Sequence, residues 1–350
     1  MSKHPWEGTE VLISGGAGFV GGNLVRMLLA SGHRMKITVV DNLLSAEKNN
    51  IPADRRVHLL HGSIAANRIL AQITDRFQYI FHLATFHGNQ NSICDPLADH
   101  ENNTLTTLKL MNHLKGFRQV RKLVYSSAGC ASAVKTFGTP KSTREDAPIS
   151  LVQDSPYSIS KIIGEFYAMY FYRQYGLSAV RARFQNVYGP GEILGAGKWR
   201  GTAATVWRNV IPVFIYKALN RLPLPVENKG VATRDFIYVE DICRGLMACA
   251  LKGRPGEAYN LASGKQTKIL DLALAINELT GNAAGLKLLP RRSWDNSGKR
   301  FGDTRKARAE IDFRAAVGLR EGLQETIAWT RENLPVINKC INKHGKHMGL

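Results

Sequence analysis

Short and nearly unbroken apolar runs alternate with stretches of helical spacing through the first half of the chain. The runs Glu10-Val-Leu-Ile-Ser14, Lys36-Ile-Thr-Val-Val40, Val57-His-Leu-Leu60, Tyr79-Ile-Phe-His-Leu83 and Lys122-Leu-Val-Tyr125 have the texture of strands buried on both faces of a parallel sheet. Helical spacing over Gly21 to Ala30 follows the first run, and a long helical stretch from Ser158 to Gln174 leads into a further strand at Ser178 to Phe184. Strand and helix taking turns in this way predict a doubly wound α/β sheet. Beyond Pro190 the pattern loosens, punctuated by Gly189-Pro-Gly191, Gly195-Ala-Gly197 and Pro223-Leu-Pro225. We expect a main α/β domain over 1–186 and a smaller, interleaved C-terminal α/β lobe over 187–335. Residues 234–262 partly return to the main domain, with Ala258 to Ala262 as another strand. Residues 336–350 read as a loosely held basic tail.

Composition narrows the class. With 350 residues, 44% hydrophobic and 21% charged, the chain can bury a substantial core without disulfides or metals. No stretch reaches the ~18 apolar residues of a membrane span. Met1 to Gly8 lacks the apolar core of a signal peptide, so a cytoplasmic location is expected. Five cysteines, an odd number with no CxxC pair, argue against a disulfide framework or a metal site. The net charge of +19 favours anionic ligands. It is spread along the chain with no run of five or six like charges. This suits a solvated surface plus a diphosphate site better than a nucleic-acid partner.

Candidate chemistry begins at Ser14-Gly-Gly-Ala-Gly-Phe-Val-Gly21, between the first strand and the first helix. Gly15 permits a tight turn, Gly18 lets backbone approach a pyrophosphate, and Gly21 lets helix and strand pack closely. The helix start offers free N–H groups to phosphate. Asp41 closes the second strand, where a carboxylate accepts hydrogen bonds from both ribose hydroxyls and repels a 2′-phosphate. These features predict a Rossmann-type domain that binds NAD rather than NADP.

Tyr157-Ser-Ile-Ser-Lys161 places a phenol and an ammonium on one helical face. A free tyrosine titrates near ~10, and a neighbouring cation brings it toward the working range. Tyr157 is then a base for a substrate hydroxyl, with Lys161 also holding the cofactor ribose.

The glycines at 15, 18 and 21, Asp41, His82-Leu-Ala84, Asn103, the Tyr157/Lys161 pair, Asn186-Val-Tyr-Gly-Pro190 and Thr233-Arg-Asp-Phe-Ile-Tyr-Val-Glu-Asp241 occur in a telling order. In these motifs the chain resembles the extended short-chain dehydrogenases/reductases that remodel nucleotide sugars. The resemblance implies an NAD-dependent nucleotide-sugar epimerase working through a transient 4-keto sugar, as a homodimer packed through the helices around Asn103 and Tyr157. It implies cofactor contacts from Phe19, Val20, Asn42, Ser63, Ile64, Leu83, Ala84 and Asn103. For the substrate it implies Asn186 and Arg234 on the diphosphate, with Arg292 or Arg300 as a second clamp. His87 either touches the sugar or caps its loop.

Departures from that family leave alternatives open. For the third catalytic residue, Ser127 in Tyr125-Ser-Ser-Ala-Gly-Cys130 is the choice, although a gapless alignment puts Ala128 there. Ala128 and Gly129 cannot move protons, which disfavours the dehydratases and decarboxylases of the family. Cys130 and Gly197-Lys-Trp-Arg-Gly-Thr-Ala-Ala204 resemble the acid/base cysteine and cation-bearing segment of GDP-mannose 3,5-epimerases, with Lys198 or Arg200 as the cation. The other reading of Cys130 is a buried small apolar residue. A 4-ketosugar reductase and a non-catalytic dinucleotide sensor are the remaining rivals. Ser63 stands where the family often has an Asp against adenine.

Overall fold

A computed structural model describes residues 4–295 and 298–349. Seven strands form one parallel sheet: β1 (Thr9–Ser14), β2 (Met35–Asp41), β3 (Val57–His61), β4 (Tyr79–His82), β5 (Lys122–Ala128), β6 (Ala179–Phe184) and β7 (Ala258–Leu261). Their order across the sheet is β7-β6-β5-β4-β1-β2-β3. The direction of winding reverses between β1 and β4, which pair with Ser14 opposite His82. A doubly wound sheet opens its ligand crevice at such a point, beyond the carboxyl ends of the strands. The strand expected from Ala258 returns to the sheet as β7, in register with β6.

Among the described residues the eight longer helices are α1 (Phe19–Ala30), α2 (Thr106–Leu114), α3 (Pro156–Tyr175), α4 (Val210–Leu219), α5 (Val239–Lys252), α6 (Ile269–Thr280), α7 (Leu319–Glu332) and α8 (Leu334–Asn342). Alternation along β1 sends Val11 and Ile13 to one face and Leu12 to the other. The first pair joins Leu24, Leu28 and Leu246 of α1 and α5, and Leu12 joins Leu110, Met111 and Phe171 of α2 and α3. Both faces are therefore dry, which is why the strands read as continuous apolar runs. A separate core formed by α4, α6, α7 and α8, with Ile211, Phe214, Ile276, Ile327 and Ile337, holds the second lobe together.

One expectation fails here. The segment from 336 is not a loose tail, because α8 inserts Ile337 and Ile341 into the second-lobe core and a further turn spans Gly345–Met348. His344 Nε2 lies 2.9 Å from the Gly195 carbonyl oxygen, and His347 stacks on Trp199. The many basic residues mask this amphipathic spacing, because lysines occupy only its solvent face.

Candidate active site

A cleft of about 810 Å³ opens along the carboxyl ends of the strands, between the sheet and the second lobe. The glycine-rich turn between β1 and α1 forms part of its floor. Gly15 has φ +77°, and a Cβ there would lie 2.6 Å from the Ala84 amide nitrogen. A side chain at Gly21 would press on the Gly15 carbonyl oxygen at 2.2 Å. Gly18 and the start of α1 line the cleft with Phe19 and Val20. Asp41, at the end of β2, accepts from the amides of Ala17 (3.0 Å) and Leu43 (2.9 Å). Those bonds fix the carboxylate beside the turn, while burial raises its pKa. Asn42, Ser63, Ile64, Leu83 and Ala84 also face the cleft.

Helix α3 carries both Tyr157 and Lys161. Ser155 caps it by accepting from the Ser158 amide, and Pro156 occupies its first turn. Tyr157 and Lys161 both face the cleft. The Lys161 Nζ donates to the Ser126 carbonyl at 2.9 Å and sits 5.9 Å from the centre of the Tyr157 ring. Burial pushes the ammonium down to about 8. Burial, then the neighbouring Cys130 and Asp99, push the phenol well above its ordinary value, while the Thr85 hydroxyl acts to lower it. Tyr157 therefore rests protonated and needs added positive charge beside it before it can accept a proton.

Two expected roles change. The Ser127 hydroxyl donates to Glu165 Oε1 at 2.5 Å. Glu165 is also gripped by Arg183, at 2.8 Å through Nε and 2.8 Å through Nη2, and by Arg181 at 3.2 Å. Ser127 thus completes the hydrogen bonding of a buried ion cluster, and no hydrogen bond joins it to Tyr157. Ala128, not Ser127, packs in the small cluster that touches Tyr157 and Cys130. Asn103 is buried behind the cleft wall and does not line it. Its carboxamide is spent on Thr85, Phe86 and Asp99.

Cys130 is half-buried at the cleft surface. The cations expected to serve it are elsewhere. Lys198 is exposed, and Arg200 lies outside the cleft lining, donating to Ser45 Oγ at 2.8 Å. His87 does reach the cleft, with its ring edge-on to Tyr157 at 5.9 Å and Nδ1 without a partner. Burial, reinforced by Arg208, Arg200 and Lys161, depresses it to about 3, so it is a neutral imidazole at working pH.

Asn186, at the end of the main domain, and Arg234, Arg292 and Arg300 beyond it also line the cleft. Arg234 donates to the carbonyls of Thr233 and Gly298 at 2.9 and 2.7 Å, and burial, then Arg300, lower it to about 9. Arg300 keeps a buried Nε without a partner, and Arg292 pairs with Glu227 at 2.5 Å. Glu192, Arg208 and Asn209 line the cleft too. Sequence reasoning passed over these three, because they lie on an irregular loop that only tertiary folding carries to the sheet. No described group of His, Cys, Asp and Glu has the makings of a metal site.

Comparison with known proteins places this geometry. The pattern of the NAD dependent epimerase/dehydratase family matches residues 11–262. The crystal structure of the Bordetella bronchiseptica enzyme WbmF in complex with NAD+ and UDP is 57% identical, with a TM-score of 0.88 over 98% of each chain. The epimerase Mth375 of Methanothermobacter thermautotrophicus is 39% identical, with a TM-score of 0.86 over 95% of each chain. A putative UDP-glucose 4-epimerase of Methanocaldococcus jannaschii is 27% identical over 92% of this chain and 99% of its own. With the motifs in order along the seven-stranded sheet and the family pattern spanning it, the chain belongs to the NAD-dependent epimerase/dehydratase family.

Proposed function

We infer that the protein is an NAD-dependent nucleotide-sugar epimerase that inverts a hydroxyl-bearing carbon, C4 in our reading, through a transient ketone. The carrying observation is that Tyr157 and Lys161 face the same cleft as the dinucleotide turn and the arginines Arg234, Arg292 and Arg300. Tyr157 takes the proton of the sugar hydroxyl, and Lys161, anchored on the Ser126 carbonyl, holds positive charge near the phenolate. Held by the glycine turn and Asp41, NAD would supply the hydride acceptor and, in its oxidised form, further positive charge in the cleft. Asn186, Arg234 and Arg300 face the cleft where they can hold the diphosphate by charge-assisted hydrogen bonds. Once the ketone has turned over and the hydride has gone back to the other face of its carbon, Tyr157 returns its proton to the oxygen. UDP-sugars are the first class to test, because WbmF is described with both NAD+ and UDP.

Two features weigh against other reactions of the family. Ala128 and Gly129 offer no acid or base beside Tyr157 for water loss. Cys130 lacks the lobe cation that exchange at C3 or C5 calls for, with Lys198 exposed and Arg200 outside the cleft lining. Proton NMR of the protein with UDP-, GDP-, dTDP-, CDP- and ADP-sugars in D2O, without added cofactor, tests the reading. Inversion at C4 with no solvent deuterium supports it. Deuterium at C3 or C5 transfers the chemistry to Cys130, and stoichiometric consumption of NADH in a parallel incubation that contains it makes the enzyme a reductase.

The same reading includes a homodimer and a cytoplasmic setting. Ile159, Phe166 and Tyr170 form an exposed apolar stripe along α3, with Leu97 exposed on a short helix beside it. A second copy packed on this stripe covers it, and light scattering of wild type and Phe166→Glu should report a dimer and a monomer. All five cysteines are free thiols, which suits a reducing compartment. No described helix is long and apolar enough to cross a membrane.

A further inference from the structure

We propose that Thr85 supplies the hydroxyl that positions the Tyr157 phenol and stabilises its ionised form, the task Ser127 was expected to perform. The proposal rests on the reading of Tyr157 as the base, but its test needs no sugar. Thr85 follows the end of β4 and lines the cleft. Its Oγ1 donates to Asn103 Oδ1 at 2.9 Å. That oxygen also accepts from the Phe86 amide at 2.7 Å, while Asn103 Nδ2 donates to Asp99 Oδ1 at 2.7 Å and to the Phe86 carbonyl at 3.3 Å. With an anion and a carbonyl on one side and an amide on the other, the carboxamide has only one satisfactory orientation. Asp99, 1% exposed, thereby fixes Asn103, and Asn103 fixes the Thr85 hydroxyl.

The result is a directional chain that ends at the cleft surface Thr85 shares with Tyr157, where the threonine hydroxyl favours the ionised phenol. While Tyr157 is protonated, the Thr85 proton points at Asn103 and its lone pairs are free toward the phenol. When Tyr157 ionises, the threonine hydroxyl rotates and donates to the phenolate, a charge-assisted bond stronger than the neutral one it leaves. Asn103 Oδ1 keeps the Phe86 amide throughout, so no buried polar atom is stranded. No comparable hydroxyl is available from β5. Ser127 is held by Glu165, Ser126 Oγ donates to the His82 carbonyl at 2.9 Å, and the next residue is Ala128.

The tyrosinate absorbance of NAD-saturated protein, titrated with pH, isolates this role once the step missing in Tyr157→Phe is taken as that of Tyr157. In Thr85→Val, close in shape but without the hydroxyl, the step should rise by about one pH unit, and Thr85→Ser should restore it. Ser127→Ala should leave it in place. With a turned-over sugar in hand, Thr85→Val should lower kcat about tenfold at neutral pH, recover at higher pH and barely move KM. An unmoved step in Thr85→Val, or a rise in Ser127→Ala instead, overturns the proposal. Because Thr85→Ser retains the hydroxyl, a step that stays displaced in it, with NAD still bound, assigns the effect to packing and also overturns the proposal. If no sugar is turned over while the titration behaves as stated, the substrate reading fails and the role of Thr85 stands.

Discussion

Glu192 shows how one residue couples the cleft to solution conditions. It is buried at the cleft surface, accepts from the Asn209 side chain through Oε1, and leaves Oε2 without a partner. Burial raises its carboxyl to about 7, against the opposing effects of Asn209 and Arg208. Below the ordinary carboxylate pKa, folded and unfolded chains are both protonated. Between that value and 7 only the folded chain keeps the proton, so stability falls as pH rises through this window. The loss approaches about 3 kcal/mol at pH 8. Thermal melts should show Glu192→Gln gaining on wild type between pH 5 and pH 8, and parallel melting curves over that range would falsify the assignment. Neutral His87 and protonated Tyr157 follow the same logic, in which a dry pocket favours the uncharged form until a ligand brings compensating charge.

At the scale of the element, the position of α3 against β5 decides whether the site exists. A Cβ at Gly164 would stand 2.0 Å from the Tyr125 hydroxyl oxygen, and that hydroxyl donates to the Lys161 carbonyl at 3.3 Å. Glycine thus allows α3 to lie close enough to the sheet for Lys161 to reach the Ser126 carbonyl. Gly164→Ala should destabilise the fold by about 1–3 kcal/mol through overpacking and lower kcat by displacing the Tyr157/Lys161 pair. Calorimetry and steady-state kinetics check both effects, and a variant with wild-type melting and kcat removes Gly164 from this role. The ion cluster of Glu165, Arg181 and Arg183 ties the next turn of α3 to β6. Removing one member would strand buried charge.

For the whole molecule, the C-terminal segment closes the architecture. Glu47, on the loop after β2, accepts from Lys343 and from the Gly197 amide, and Arg208 donates to the carbonyls of Ser45 and Ala196. The 191–209 loop is therefore fastened to the loop that follows Asp41, and the last helices fasten both. Deleting 334–350 removes Ile337 and Ile341 and bares the second-lobe core they cover, each burial being worth about 1.5–3 kcal/mol. The truncated protein should melt several degrees lower and lose bound NAD faster on dilution. Equal melting and equal retention would show the segment to be dispensable.

Local pattern was enough for the sheet, α1, α3 and the glycine turn, and for expecting Asp41, Tyr157 and Lys161 together at one cleft, because each depends on periodicity or on spacing within a turn or two of backbone. The basic C-terminal helices escaped notice because their apolar residues are few and become meaningful only against α4 and α7. The bond from Ser127 to Glu165 was hidden for a related reason. A serine beside the active strand looks catalytic until folding places Glu165 and Arg183 against it, and a buried carboxylate takes the nearest donors. Thr85, Glu192 and Arg208 carry no local signal, since loops far apart in sequence bring them to the cleft. The sequence by itself determined which elements form and which cofactor chemistry they hold, because hydrophobic burial and backbone geometry act over short stretches. Only the tertiary structure decided which hydroxyl, carboxylate and guanidinium face that chemistry, because desolvation and hydrogen-bond satisfaction are settled among groups that meet when the chain has folded.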